Sequence, residues 1–178
     1  MDQRIDKTYT ALQNSMREML ATTTWDDISI LELCKNAEVS RTTFYTHFKN
    51  KEDLLDSLLL MFERAMLSDN NARSLSTTGT FKFLPILLNH VNGNRQLFAQ
   101  TNTTMAGYPV AIRFLKMISN LVAIEIEETP ALKNTSNTTQ HFIAGGIYNT
   151  LVKWSASSQD ATHLTILNDI DLRVKQFL

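Results

Sequence analysis

The sequence predicts an all-α fold, and three observations carry that prediction. Apolar residues recur at spacings of three and four along most of the chain, the period of one helical face. Turn formers are scarce, with only 5 Gly and 3 Pro among 178 residues, too few for a turn-rich β architecture. Helix start signals, a Ser or Asn ahead of a periodic run, recur between the segments. The composition, 43% hydrophobic and 20% charged, suits either one sizeable core or a small head sharing a surface with a larger body.

About nine helices are expected. Residues 4–20 set Ile5, Tyr9, Leu12, Met16, Met19 and Leu20 on one side of an amphipathic helix. The β-branched run Thr22-Thr23-Thr24 stops it, and Trp25 and Ile28 anchor a short loop. Ser29 followed by Glu32 is a capping box for a helix of about two turns that buries Ile30, Leu33, Cys34 and Ala37 and ends near Asn36 or Ala37. Glu38-Val39 forms a turn. Ser40 then caps a second short helix over 41–48, with Phe44 and Phe48 anchoring it to the core. Asn50, with Asp53 three residues on, caps a long helix bearing Leu54, Leu55, Leu58, Leu59, Phe62 and Met66 and reaching about residue 68.

The polar stretch 68–80 reads as a connection. Helices follow over 81–91, 94–101, 108–127, 138–157 and 162–177. Pro109 fits the first turn of its helix and Pro130 lies just past the end of the same one. Pro85 must also fall in a first turn, or its helix kinks.

Several function classes are excluded at this level. The N-terminus is polar, and no uncharged apolar run approaches the roughly 18 residues that span a bilayer, so a cytoplasmic protein without membrane contact is expected. A single cysteine, Cys34, leaves no disulfide framework and reads as a small core residue. The sequons at Asn102, Asn134 and Asn137 lack a secretion signal and read as chance matches. No phosphate-cradling Gly loop or nucleophile elbow is present, and the histidines at 47, 90, 141 and 163 have no metal-ligand spacing. No catalytic residue, metal or cofactor is therefore expected, and Glu125, Glu127 and Glu128 read as a solvated helix end.

Net charge is −1, which carries no hint of nucleic acid. Local charge does: residues 39–51 hold Arg41, Lys49 and Lys51 and no acidic residue, a local charge of +3. Two short capped helices joined by a tight turn and flanked by longer ones form the arrangement in which the second short helix enters a DNA major groove. Arg41, Thr42, Thr43 and Tyr45 are the candidates for groove contacts, and Ser29, Ser40, His47 and Lys51 for clamping the phosphate backbone. Taken singly, the serines serve equally well as plain N-caps and the lysine as a solvated charge.

As a whole, the run Trp25-x-x-Ile28-Ser29-Ile30-x-x-Leu33-x-x-x-Ala37-x-Val39-Ser40-x-x-Thr43-Phe44-Tyr45-x-His47-Phe48-x-x-Lys51-x-x-Leu54-Leu55 resembles the DNA-binding signature of the TetR family of transcription regulators. One position departs from it: the turn residue usually held by Gly is Glu38, which is costly if a left-handed backbone is required there. The resemblance implies a helix-turn-helix domain over 1–51 and a helical regulatory and dimerisation domain over 52–178. It also implies a homodimer on double-stranded DNA with a palindromic operator, the two recognition helices about 34–36 Å apart or somewhat more. It further implies a repressor released by a small-molecule inducer. The alternative is a DNA-bound activator or scaffold controlled by a protein partner. A weaker C-terminal similarity, including Gly146 through Trp154, points to a Firmicutes-type subgroup that contains dihydroxyacetone-kinase operon regulators.

By the same resemblance the last two helices pair across the dimer. Their patterns agree: Ile143, Ile147, Leu151 and Trp154 line one face of 138–157, and Ile166, Ile170, Val174 and Phe177 one face of 162–177, with Leu164, Leu167 and Leu178 beside it. Phe142, Tyr148 and Val152 widen the first stripe, and Gly145-Gly146 permits close helix approach. A ligand in such a body is expected among Phe83, Leu87, Phe98, Met105, Tyr108, Ile112, Leu115, Met117, Phe142 and Tyr148, residues that are otherwise ordinary core. Few charges are interleaved, so a small apolar ligand is expected. Such a ligand would act on the spacing of the two heads through the long helix of 51–67.

Overall fold

The computed structural model describes residues 3–68, 81–100, 107–157 and 162–178. Met105, Asn102, the stretch 69–80 and the side chain of Ile5 lie outside the described residues. The helices are α1 (Gln3–Thr22), α2 (Ile30–Asn36), α3 (Arg41–His47), α4 (Lys51–Ser68), α5 (Leu84–Gly93), α6 (Arg95–Gln100), α7 (Tyr108–Glu128), α8 (Asn137–Ala156) and α9 (His163–Phe177). A 3-10 turn, Pro130–Leu132, follows α7, and no strand occurs among the described residues. None of the described helices is long and apolar enough to cross a membrane.

The helix borders follow local chemistry. Ser29, Ser40, Ser136 and Thr162 each stand in extended backbone and accept a hydrogen bond from the N–H three residues on. Pro85 and Pro109 both lie in the first turn of their helices, where a missing N–H costs nothing, so α5 has no cause to kink.

Two cores form. α1 to α3 and the first half of α4 enclose Leu12, Met16, Trp25, Ile28, Leu33, Phe44, Phe48, Leu54 and Leu55, and α7 contributes Val110. The second core is built by the end of α4 with α5 to α9 around Phe83, Leu87, Phe114, Ile118, Leu121, Ile147 and Leu151. Leu59 and Phe62, one turn further along α4, pack against both. At about 1.5–3 kcal/mol for each fully buried large apolar side chain, both cores are substantial, and α4 is the beam they share.

α7 runs alongside α4 with a matched register. Arg113 Nε lies 2.8 Å from the Asp56 carboxylate, and one stretch further on Asn120 donates to Glu63 at 3.4 Å. The head is therefore fastened to the body along two helices rather than by a flexible joint.

Glu125 departs from the expectation of a solvated helix end. Its side chain is 3% exposed, and its carboxylate accepts the backbone N–H groups of Lys82 and Phe83 just ahead of α5. Phe83, the residue before α5, has no side-chain cap of its own, so the glutamate supplies from α7 what the local sequence lacks. Glu127 and Glu128 are exposed, as expected.

Candidate nucleic-acid interface

α3 is held from below and from its ends, leaving one face open. Phe44 is fully buried and Phe48 nearly so, and Tyr9 of α1 packs on the Phe48 ring at 4.7 Å. Ser40 Oγ accepts from Thr43 N–H at 3.0 Å and lies 2.8 Å from Thr43 Oγ1, which occupies the half-buried Thr43 with the cap. The open face then carries Arg41, Thr42 and Tyr45, all exposed. The Tyr45 ring stands edge-on to Phe44 at 5.4 Å, so a buried neighbour sets its orientation while the side chain stays exposed.

The other candidates are placed as follows. Ser29 closes a complete capping box, its Oγ accepting from Glu32 N–H at 3.2 Å while the Glu32 carboxylate accepts from Ser29 Oγ and N–H at 2.8 and 3.3 Å. His47 is half-buried, edge-on to Tyr9 at 6.3 Å. Lys51 is turned inward: its ammonium donates to the carbonyls of Trp25 and Ile28 at 2.7 and 3.0 Å and sits 4.5 Å over the Trp25 ring. It fastens the loop ahead of α2 to the start of α4, and those bonds compete with any reach towards a phosphate. Lys49, counted in the charge of this stretch but not among the expected contacts, is exposed at the end of α3.

The turn between α2 and α3 answers the question posed by Glu38. Its φ is 55°, the left-handed region that favours glycine. Glu38 N–H donates to Lys35 O and Val39 N–H to Cys34 O, the paired bonds that close a helix C-terminus around a left-handed residue. Cys34 beneath it is buried, and burial pushes its thiol up despite the nearby Arg41 guanidinium, the behaviour of a core residue.

The remaining candidates separate into groups. Ile143, Ile147, Leu151 and Trp154 are buried within the protomer. Arg95 seals the end of α8, its guanidinium donating to Trp154 O and Ser157 O at 2.7 and 2.8 Å. Ile170 and Val174 lie under α9 against α8, and Ile166 is half-buried beside them. Leu164 and Leu172 of α9 are exposed, as are Phe142, beside the first stripe, and Phe177 of the second, 60% and 49% exposed, whose rings lie 4.8 Å apart. The two phenylalanines flank a groove of about 370 Å³ that also includes Gly146.

Of the ligand candidates, Phe83 and Leu87 are fully buried core, whereas Tyr108, Ile112 and Phe142 are exposed. Leu115 and Tyr148 are half-buried. Phe98 and Met117 line one cavity together, which sequence periodicity could not reveal because α1 and α4 form part of its wall.

A capped helix-turn-helix head with an open polar and basic recognition face, borne on an all-helical body, defines a DNA-binding regulator. Residues 16–58, which make up most of this head, match the family model of bacterial regulatory proteins, tetR family. Its fold is similar over almost the whole length to the TetR transcriptional regulator from Streptococcus agalactiae, with TM-score 0.67, 21% identity, and 97% of this chain and 96% of that one covered. It is likewise similar to the dihydroxyacetone kinase operon activator DhaS (TM-score 0.64, 18% identity, 96% and 97% covered). A third similar structure is the regulator FadR from Bacillus subtilis in complex with stearoyl-CoA (TM-score 0.60, 17% identity, 96% and 99% covered). No curated protein matches the chain.

Proposed function

We propose that the chain acts in the cytoplasm as a homodimeric repressor that binds a palindromic operator and is released by a small molecule. The observation that carries the DNA contact is the open face of α3. Arg41, Thr42 and Tyr45 stand exposed on a helix whose opposite side is pinned by Phe44, in a stretch free of acidic side chains. Arg41 reads a guanine edge or a phosphate, Tyr45 and Thr42 supply hydroxyls, and Lys49 adds a phosphate contact. Ser29, Ser40 and Thr43 act mainly by building the caps that aim α3, and Lys51 by fixing the loop ahead of α2.

The dimer is assigned to the α8–α9 surface through Phe142, Gly146 and Phe177, with the buried Ile143, Ile147, Ile170 and Val174 as the layer beneath. A protein of this fold solved with stearoyl-CoA supports a ligand-responsive body. The likeness to an operon activator supports a second reading, a DNA-bound activator or scaffold governed by a partner protein.

Selection of bound DNA from a random pool supplies the operator and tests the reading directly. A palindrome is expected, with affinity falling linearly in log salt. Arg41→Ala and Tyr45→Ala should each reduce specific binding at least tenfold; unchanged affinity in both would remove α3 from the role of reader. A metabolite that raises the melting temperature and releases DNA favours the inducer over the partner protein.

A further inference from the structure

Where the two cores meet, α1, α4, α5, α6 and α7 enclose a cavity of about 30 Å³. Leu20, Leu55 and Leu58 face it from the head core, and Phe98, Phe114 and Met117 from the body core. Its polar lining among the described residues is Arg17, His90 and Asn94, with no carboxylate. Asn94 is engaged, donating to His90 O at 2.8 Å. The His90 ring lies 4.4 Å from Phe62 and 5.9 Å from Phe98. Burial holds its imidazole below the ordinary range, and the Arg17 guanidinium pushes the same way. Arg17 itself, exposed at the rim, has neither an ion pair nor a hydrogen bond among the described residues.

A guanidinium without a partner among the described residues and a neutral imidazole, lining a cavity that is otherwise apolar apart from Asn94, form an incomplete recognition site. We propose that this seam binds a small apolar monoacid, its carboxylate paired with Arg17 and hydrogen-bonded to His90, its hydrocarbon chain lying between the head leucines and Phe98, Phe114 and Met117. A guanidinium matches a carboxylate in a fork of two hydrogen bonds. An amine is repelled by Arg17. A phosphate ester brings a second charge for which the apolar walls have no partner.

The cavity holds roughly one water molecule, so a ligand enters by parting the walls. Those walls are the contacts between head and body. The acid therefore favours a state in which α1 and the start of α4 have shifted against α5 to α7, and that differential affinity is what a release mechanism requires. This site rests on the small-molecule reading of the proposed function and assigns it a place and a ligand class.

The test uses the full chain with butanoate, hexanoate and octanoate against butan-1-ol, hexan-1-ol, octan-1-ol and octylamine, at constant ionic strength. Melting temperature reports binding and fluorescence anisotropy of labelled operator reports DNA release. The acids should raise the melting temperature, increasingly with chain length, while matched alcohols act at least tenfold more weakly. Arg17→Gln should weaken the acids at least tenfold, keep the fold by circular dichroism and keep DNA binding without ligand; Arg17→Lys should recover part of the response. Alcohols as effective as acids, no response to any acid, or an unaltered response in Arg17→Gln would each overturn the site. If another metabolite then releases DNA from wild type and Arg17→Gln alike, the inducer reading survives and this site does not. If the acids bind through Arg17 yet leave DNA bound, the site stands and the inducer reading falls.

Discussion

Glu125 and Phe83 are 42 residues apart in sequence, and the carboxylate of the first accepts the backbone N–H of the second at 3.1 Å inside the protein. This bond and its companion to Lys82 N–H satisfy donors ahead of α5 and bind α7 to α5. Removing the carboxylate leaves buried N–H groups without a partner, which costs more than the net worth of the bonds. Glu125→Ala should destabilise the chain by about 2–4 kcal/mol, read from urea unfolding. Glu125→Gln should lose less because its carbonyl still accepts one N–H. Operator affinity, measured where both variants remain folded, should be unchanged.

A left-handed Glu38 implies that the turn carries avoidable strain. A non-glycine residue there costs roughly 1–2 kcal/mol, partly offset by the greater unfolded-state entropy of glycine. Glu38→Gly should therefore stabilise the chain by up to about 1 kcal/mol, whereas Glu38→Ala should gain nothing. Both should also bind DNA more tightly at low salt than the parent, since each removes a negative charge beside the reading helix. Denaturant midpoints and a salt series of operator titrations separate the two effects.

The helix-turn-helix head was legible because its signals are local: the Ser29–Glu32 box, the Ser40 cap and the Phe44–Phe48 spacing each act within four residues. Helix borders in the body were legible for the same reason, with prolines at first turns. What periodicity could not supply is which of two apolar faces meets the protein's own core. Ile143, Ile147, Leu151 and Trp154 form a clean stripe, and that very regularity reflects burial against the rest of the protomer. Exposed instead are Phe142, beside that stripe, and Phe177, at the end of the stripe on α9. Partners far apart in sequence were also hidden, as with Lys51 on the Trp25 loop, Glu125 at α5, and Arg17 beside His90.

Lys51 and Arg41 should thus separate in their effects although both are cations near the recognition helix. Lys51→Ala removes two hydrogen bonds and a cation–π contact that fasten the Trp25–Ile28 loop, and should lower stability by about 1–3 kcal/mol. Arg41 is exposed, so Arg41→Ala should leave stability within about 0.5 kcal/mol while weakening operator binding. Unfolding curves and DNA titrations on the two variants check this division.

Gly146 offers a test of the α8–α9 surface. It is exposed mid-helix, and a methyl group built on it meets nothing within 4 Å in the protomer. Gly146→Ala should stabilise α8 by up to about 1 kcal/mol and leave the assembly intact. Gly146→Leu places a bulky side chain in the groove flanked by Phe142 and Phe177. It should shift the chain towards monomer in sedimentation velocity and reduce operator binding in parallel, with the protomer still folded.

His90 gives the stability a pH dependence whose sign is fixed by its position. Burial, and secondarily the charge of Arg17, hold its imidazole below its ordinary value of 6.5. The unfolded chain consequently takes up the proton first as pH falls, and protons bound only by the unfolded state favour unfolding. This contribution is fully present above about pH 6.5, declines as pH drops through that value, and levels off only once the folded form also titrates. His90→Gln removes the ionisable group without adding charge to the seam between Phe62 and Phe98. The difference in urea midpoint between about pH 7.5 and about pH 5.5 should be smaller in this variant than in the parent. An equal difference in both would mean that His90 contributes no linkage and that other groups set the acid limb.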